Sequence, residues 1–561
     1  MLHGLEGFDN VRMNFMLGRW ILSAFCIADA ALLLLCGWLV PSHLCAVDVA
    51  VVQRAGEDSS SLAGHGLALV RDGRVDAARL LLQMVQRNHL PGADKLSQAV
   101  ASPAAQAPVT SQIAHLLNNG SDAAGATNGY SQPVTDSVIR LENRARVMAS
   151  LQANRSSAVR ELMRCRDLTN TVLFSPSTSP SGQAFDAALS VCGLLLEEDV
   201  LAAGLRDALV QRAAAANRGG DSEPLEQVLL DMMSLGQRLN WEQLVVFVHR
   251  MEDAQTLDRL AVEMRNVGAT NLPLLFAAVE LSQEPGAVAA YLGQFSQTGL
   301  ADLGTSVGFG SGAVDELFAR NQRIYRSNLR DRVAAAAPAS FFFPAAANYA
   351  LRLPRFAVTV KWFLYLLGGF LIAVARRVVW IAPVNGEPSR ARGFRAMCDM
   401  VFALGFCVVV LLLSEPFLAQ VSQKVEFPLR LRLPGVASVA AIALSGAKTK
   451  LMNPASLLIL LLFFVLQALI YAVCLTKLAE IRRQNVPVPL RLKLLENEDN
   501  LFDAGLYLGF CGTIISFILV MMGISQFSLM SGYSSTAFGI IFVFIFKIFH
   551  LRPYRRQLLM E

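Results

Sequence analysis

Six apolar stretches, each about twenty residues long, do more than any other feature to limit how this chain can fold. They lie at about 19–40, 357–380, 397–420, 455–476, 502–524 and 534–550. A helix rises 1.5 Å per residue, so roughly 20 apolar residues cross the hydrocarbon core of a bilayer. Lipid offers backbone groups no hydrogen-bond partners, which makes each stretch a helix. The first run, Trp20 to Val40, exceeds a secretory h-region and lacks a small-x-small cleavage site, so it reads as a signal anchor.

Basic residues orient the spans, because cytoplasmic loops are rich in Lys and Arg. Arg12 and Arg19 precede the first span and place the N-terminus inside, with 41–356 outside. Arg376, Arg377, Arg390, Arg392 and Arg395 mark the loop after the second span as cytoplasmic, and Lys477, Arg482, Arg483, Arg491 and Lys493 mark the loop after the fourth. Arg552, Arg555 and Arg556 put the C-terminus inside. One loop disagrees: 421–453 carries Lys424, Arg430, Arg432, Lys448 and Lys450, yet parity sets it outside. The net charge of +5 is spent on these flanks. No nucleic-acid-like basic stripe remains, so no nucleic-acid partner is expected.

Of the 561 residues, 54% are hydrophobic and 17% charged, too polar for a pure membrane bundle. The polar share is concentrated in 41–356, which is too long to be a loop. Its first part, 41–135, is broken by Ser, Gly, Ala and Asn-rich stretches such as 118–134 that read as linker. Between them, Leu62–Arg87 has helical periodicity around Gly73 and resembles half of a tetratricopeptide-type helix–turn–helix repeat. In the helical domain, 136–356, short amphipathic helices are expected from about 136 to 330, at 137–166, 184–193, 196–216, 222–235, 241–251, 254–266, 271–281, 285–297 and 312–326, with no alternating strand. Such a series reads as an irregular α-solenoid whose surface binds a protein. The expected fold class is therefore all-α: a polytopic membrane protein with about six spans and a large extracytoplasmic helical domain. Its parts are a tail and anchor (1–40), the linker-rich region, the helical domain, two spans with their loops (357–454) and a three-span core with a basic tail (455–561).

Catalytic and metal-binding patterns are missing from the sequence. The histidines at 3, 43, 65, 89, 115, 249 and 550 have no i, i+4 partner or Cys/Asp/Glu cluster of the kind a zinc site needs. Gly308-Phe309-Gly310-Ser311-Gly312 follows no strand and lacks the P-loop lysine, so it reads as a turn before a helix. No enzyme, no cofactor and no metal are expected. Cys26, Cys36, Cys398, Cys407, Cys474 and Cys511 lie in apolar runs and act as small hydrophobes. Cys165 and Cys192 lie in the polar region, as a disulfide or as two thiols.

Charged groups deep in a bilayer cost roughly 3 kcal/mol or more. Asp399, Glu415 and Asp503 fall near span ends, where water is expected to solvate them, and Lys547 is expected to snorkel to the inner surface. Asp29 lies within the first span and reads as a packing or partner-pairing residue. The last two spans differ from the others. Gly505, Gly509 and Gly512 line one face of the fifth, followed by Thr513 and Ser516; the sixth carries Ser534, Ser535, Thr536 and Gly539. Small residues let helices touch, and hydroxyls inside a bilayer mark either back-bonding to the helix or a polar path.

Leu508-Gly509-Phe510-Cys511-Gly512-Thr513 and Ser535-Thr536-Ala537-Phe538-Gly539-Ile540 resemble the paired motifs of the MotA/TolQ/ExbB proton-channel family. That family carries a Leu-Gly-Leu-Leu-Gly-Thr-like motif opening one span and an Ala-Thr-Ala-x-Gly-Leu-like motif in the next. The resemblance covers about 455–556, and the out-in, in-out, out-in order of the last three spans agrees with it. The segment 477–500 and the Thr513–Thr536 connection are shorter than the family's. The resemblance implies a bacterial inner-membrane ion channel, with a homo-pentamer surrounding a TolR/ExbD-like single-span partner. That partner would supply the titrating Asp. Thr513, Thr536 and Ser516 would line the ion pathway, and Gly505, Gly509, Gly512 and Gly539 would pack the helices. Proton flow would then drive work in the periplasm, where the helical domain meets a protein partner. The alternative is a membrane-anchored scaffold whose helical domain binds a partner while its spans only pack.

Overall fold

The apolar runs form long helices. The computed structural model describes residues 3–102, 132–139, 141–282, 284–336, 339–380, 389–417, 454–484, 486–521 and 529–560. The linker 118–131 and the discordant loop 421–453 lie outside these residues. Among the described residues regular structure is almost wholly helical; the strands Ala46–Asp48 and Arg323–Tyr325 have three residues each. Among the described residues, five helices are long and apolar enough to cross a membrane: Gly18–Leu39, Pro354–Val379, Arg395–Ser414, Leu458–Arg483 and Tyr533–Met560. At the fifth expected run the helix Ala504–Met521 has 18 residues. It starts late because Asp503 closes a separate short helix, Asp499–Phe502.

The chain forms two compact units, one of Met1–Asp48 with Tyr325–Glu561 and the other Val49–Ile324. The first holds all the candidate spans. Helices in lipid gain nothing from a hydrophobic effect between them, so they associate where backbones approach closely. A Cβ at Gly37 would lie 2.7 Å from the Tyr365 ring, one at Gly369 would lie 3.1 Å from the Ala403 carbonyl, and one at Gly405 would lie 2.9 Å from Val465. These contacts join the first, second, third and fourth long helices in chain order. The helix Leu529–Phe546 continues through a π turn, Lys547–Leu551, into Arg552–Met560. Leu551, Tyr554 and Leu558 then bury against Cys474, Leu478, Ile481 and Leu495.

The second unit is a series of short helices. Around Gly73, Leu62–Arg71 and Val75–Arg87 form the anticipated hairpin, and Gly73 takes φ +75° at the turn, a value most side chains resist. The expected helix 137–166 ends at Gln152 and resumes as Ser157–Arg164. Asn154 interrupts it, its side chain accepting from the Ser156 N–H at 2.8 Å. Asn240 and Gln243 form a capping box at the head of Trp241–His249, and Asp253 caps Ala254–Asn266. The helix expected at 285–297 runs on to Phe309 with a kink at Ser296 (φ 48°). The glycine run 308–312 is then the break between this helix and Ser311–Arg320. A Cβ on Gly312 would collide with the Ala55 carbonyl, so the start and end of this unit lie against each other.

Two buried carboxylates tie its loops. Glu226 accepts the Val172, Leu173 and Phe174 N–H groups at 2.9, 2.5 and 2.9 Å and the Ser222 hydroxyl at 2.7 Å. Burial opposes its ionisation, but those donors prevail and hold it below the usual carboxylate value. Glu242 accepts the Asp76 N–H at 2.7 Å, and Asn240 donates to the Asp76 carboxylate at 3.1 Å. Cys165 and Cys192 are free and buried; Cys165 donates to the Ala213 carbonyl at 3.5 Å.

Candidate functional site

The helices Ala504–Met521 and Leu529–Phe546 cross on their glycines. A Cβ at Gly509 would stand 2.9 Å from the Ser535 carbonyl oxygen, 3.2 Å from the Thr536 Cα and 3.4 Å from the Gly539 Cα. One at Gly539 would stand 2.6 Å from the Gly505 oxygen. Backbone therefore touches backbone, and Gly505, Gly509 and Gly539 are buried at the contact. Gly512 is half-buried and faces Ser535 and the Phe463 ring, the latter 3.1 Å from its would-be Cβ.

That approach sets two hydroxyls together. Thr513 Oγ1 and Thr536 Oγ1 are 2.5 Å apart, and the Gly509 carbonyl oxygen lies 3.1 Å from the first and 3.3 Å from the second. Two hydroxyl protons face three contacts. Either Thr513 donates to Gly509 and accepts from Thr536, or the roles reverse. Ser516 stays apart from this pair and donates to the Gly512 carbonyl of its own helix at 2.8 Å.

The helix Pro454–Arg483 supplies a residue that sequence reasoning missed. Gln467 is 1% exposed; its Nε2 donates to the Gly505 carbonyl at 3.0 Å, while its Oε1 is buried without a hydrogen-bond partner. The signal was a lone amide within the apolar run 455–476. On the same helix Phe464 meets Phe538 and Phe542 edge-on, and Tyr471 shares a hydrogen bond with His550 at 2.8 Å. The last three long helices thus form one packed bundle. No protein-family model, no curated protein and no solved structure matches this chain.

The expectation that water solvates the carboxylates near span ends fails where the helices cover them. Asp503 keeps 26% of its side chain exposed and pairs with Lys547 at 2.7 Å. Asp399 pairs with Arg377 at 2.9 Å, its side chain 6% exposed. Glu415, 1% exposed, binds Lys361 at 3.0 Å and the Leu44 N–H at 2.8 Å. Desolvated charges without such partners would cost several kcal/mol each, on the order of the insertion penalty they avoid.

Glu415 belongs to a second cluster unseen in the sequence. Lys361 donates to the Ser42 carbonyl at 2.9 Å and to His43 Nδ1 at 3.1 Å, besides Glu415. Lys361 is only a donor, so His43 Nδ1 accepts from it, and His43 Nε2 lies 3.3 Å from both the Asp48 carboxylate and the Arg330 guanidinium. Arg330 pairs with the same Asp48 carboxylate and is 1% exposed. Two cations, two anions and a neutral imidazole make a balanced buried chain. Burial is the largest influence on His43 and holds it below its usual 6.5, against the Asp48 hydrogen bond. Burial alone would raise Asp48, but His43 and Arg330 hold it below the usual range. Among the described residues no group of three or more His, Cys, Asp or Glu could hold a metal.

Proposed function

We propose that this chain is a channel subunit of an inner-membrane motor resembling TolQ, ExbB and MotA. It has six spans with both termini in the cytoplasm. The observation that carries the reading is the hydroxyl pair Thr513–Thr536 at a helix crossing where Gly505, Gly509 and Gly539 let backbone meet backbone. A hydroxyl both donates and accepts, so a pair with two interchangeable bonding patterns suits the relay of a proton. The titrating carboxylate is supplied by a TolR/ExbD-like single-span partner, about which five copies of this chain assemble. Ser516 continues the polar path, and Gly505, Gly509, Gly512 and Gly539 keep it narrow. The helical unit Val49–Ile324 lies in the periplasm and meets a protein partner there, where proton-motive force is turned into work.

A second reading rests on a specific observation. Thr513 and Ser516 each donate to carbonyls of their own helix, which is the arrangement of a scaffold whose spans only pack. Particle imaging of the complex in nanodiscs separates the two. A ring of five around small single-span chains is the expected result, and Thr513→Val or Thr536→Val then abolishes proton flux with assembly intact. A monomer or dimer without a small partner, or unchanged flux in both variants, overturns the motor reading in favour of the scaffold.

A further inference from the structure

Asp29 stands near the middle of the first candidate span, Gly18–Leu39, eleven residues from one end and ten from the other. The span turns one face inward. Ser23 donates to the Ala375 carbonyl, Ala30 and Leu34 receive Gly368, and Gly37 receives Tyr365. Asp29 points elsewhere and is exposed, within a stripe formed by exposed Leu22, Phe25, Leu32 and Cys36. These positions are seven and four residues before it and three and seven after it, so they share its helix face. Among the described residues no hydrogen bond or ion pair reaches its carboxylate.

A charged side chain turned to hydrocarbon at this depth is costly, and such residues nearly always face a partner. Arg19, Arg376 and Arg377 stand at the ends of their apolar runs, and the described cations farther in, Lys361 and Lys547, are each bonded to a carboxylate of their own chain, Glu415 and Asp503. A second copy therefore brings no cation to mid-depth. We infer that the outer face of the first span, centred on Asp29, docks a membrane helix of a different protein that carries a lysine or arginine near its middle. The apolar stripe packs against that helix and the ion pair fixes its depth and register. An Asp-bearing channel partner would repel this carboxylate, so the docked helix is a separate chain, and the inference stands or falls independently of the motor reading.

The test uses the full chain in the cells that make it, with a photo-cross-linking amino acid at Phe25 or Leu32. The cross-linked peptide is identified by mass spectrometry. The expected adduct lies on an apolar span with a Lys or Arg within a turn of its centre. It is lost in Asp29→Leu, kept in Asp29→Glu, and unaffected by Thr513→Val. Adducts with lipid alone, with another copy of this chain, or with a span lacking a central cation overturn the inference, as does an adduct that survives Asp29→Leu. Dicyclohexylcarbodiimide gives a second readout, since it modifies neutral, uncovered carboxyl groups in membranes. Asp29 is expected to stay unmodified in the intact complex, and its modification there overturns the ion pair.

Discussion

Replacing Gly509 by alanine adds one methyl group where two membrane helices touch backbone to backbone. The new Cβ would stand 2.9 Å from the Ser535 carbonyl oxygen and 3.2 Å from the Thr536 Cα. Both are backbone atoms of the facing helix, so no side chain can rotate away, and the two helices must part. Overpacking of this kind costs about 1–3 kcal/mol. Parting also lengthens the 2.5 Å contact of Thr513 with Thr536, and interhelical hydrogen bonds in membranes are worth about 0.6 kcal/mol on average. Alanine returns up to about 1 kcal/mol through its greater helix propensity. The net expectation is a loss of about 1–2 kcal/mol. Unfolding by SDS titration in mixed micelles measures it. Gly18→Ala is the control, because a Cβ there meets nothing within 4 Å, and only the propensity gain applies. If Gly509→Ala proves as stable as Gly18→Ala, the backbone contact is not the determinant argued here.

Other substitutions probe the buried polar groups. Lys361→Met strands the Glu415 carboxylate, 1% exposed, and should cost about 3–5 kcal/mol in the same unfolding assay, whereas Lys361→Met with Glu415→Leu should recover most of it. Gln467→Leu removes the donor to Gly505 together with a partnerless buried acceptor; a loss of no more than about 1 kcal/mol is expected. pH acts with opposite sign on two regions, readable by hydrogen exchange at pH 7.5 and 5.5. His43 is held below 6.5 in the fold; its contribution is full above 6.5 and fades as pH falls, so amides of 43–48 should show smaller protection factors at pH 5.5, with the intrinsic exchange rate at each pH divided out. Burial instead pushes Asp231 and Glu242 up to about 6. Their contribution is lost as pH rises through that value, so Glu223–Gly236 and Trp241–His249 should be better protected at pH 5.5. Burial also pushes the Cys165 and Cys192 thiols up to about 12, so maleimide should leave both unlabelled until the protein is unfolded.

Where apolar length and local turn chemistry govern the outcome, the sequence was decisive. The long helices follow from runs of about twenty apolar residues, because lipid leaves the backbone no alternative. The hairpin about Gly73 and the cap at Asn240 follow from neighbours within a few residues, as does the small-residue face at 505, 509 and 512. Those glycines and threonines were legible because one helical period sets them on one face. What faces them was not. The 2.5 Å meeting of Thr513 with Thr536 needs a second helix at a particular height, and the Gln467 amide comes from a third helix 38 residues before Gly505. The charged cluster was hidden for the same reason: Glu415 lies 54 residues from Lys361 and 371 from Leu44. Periodicity tells which face of a helix is polar or small, since it depends on near neighbours along the chain. Which charge meets which depends on how helices are stacked, and only tertiary structure brings residues hundreds of positions apart within 3 Å.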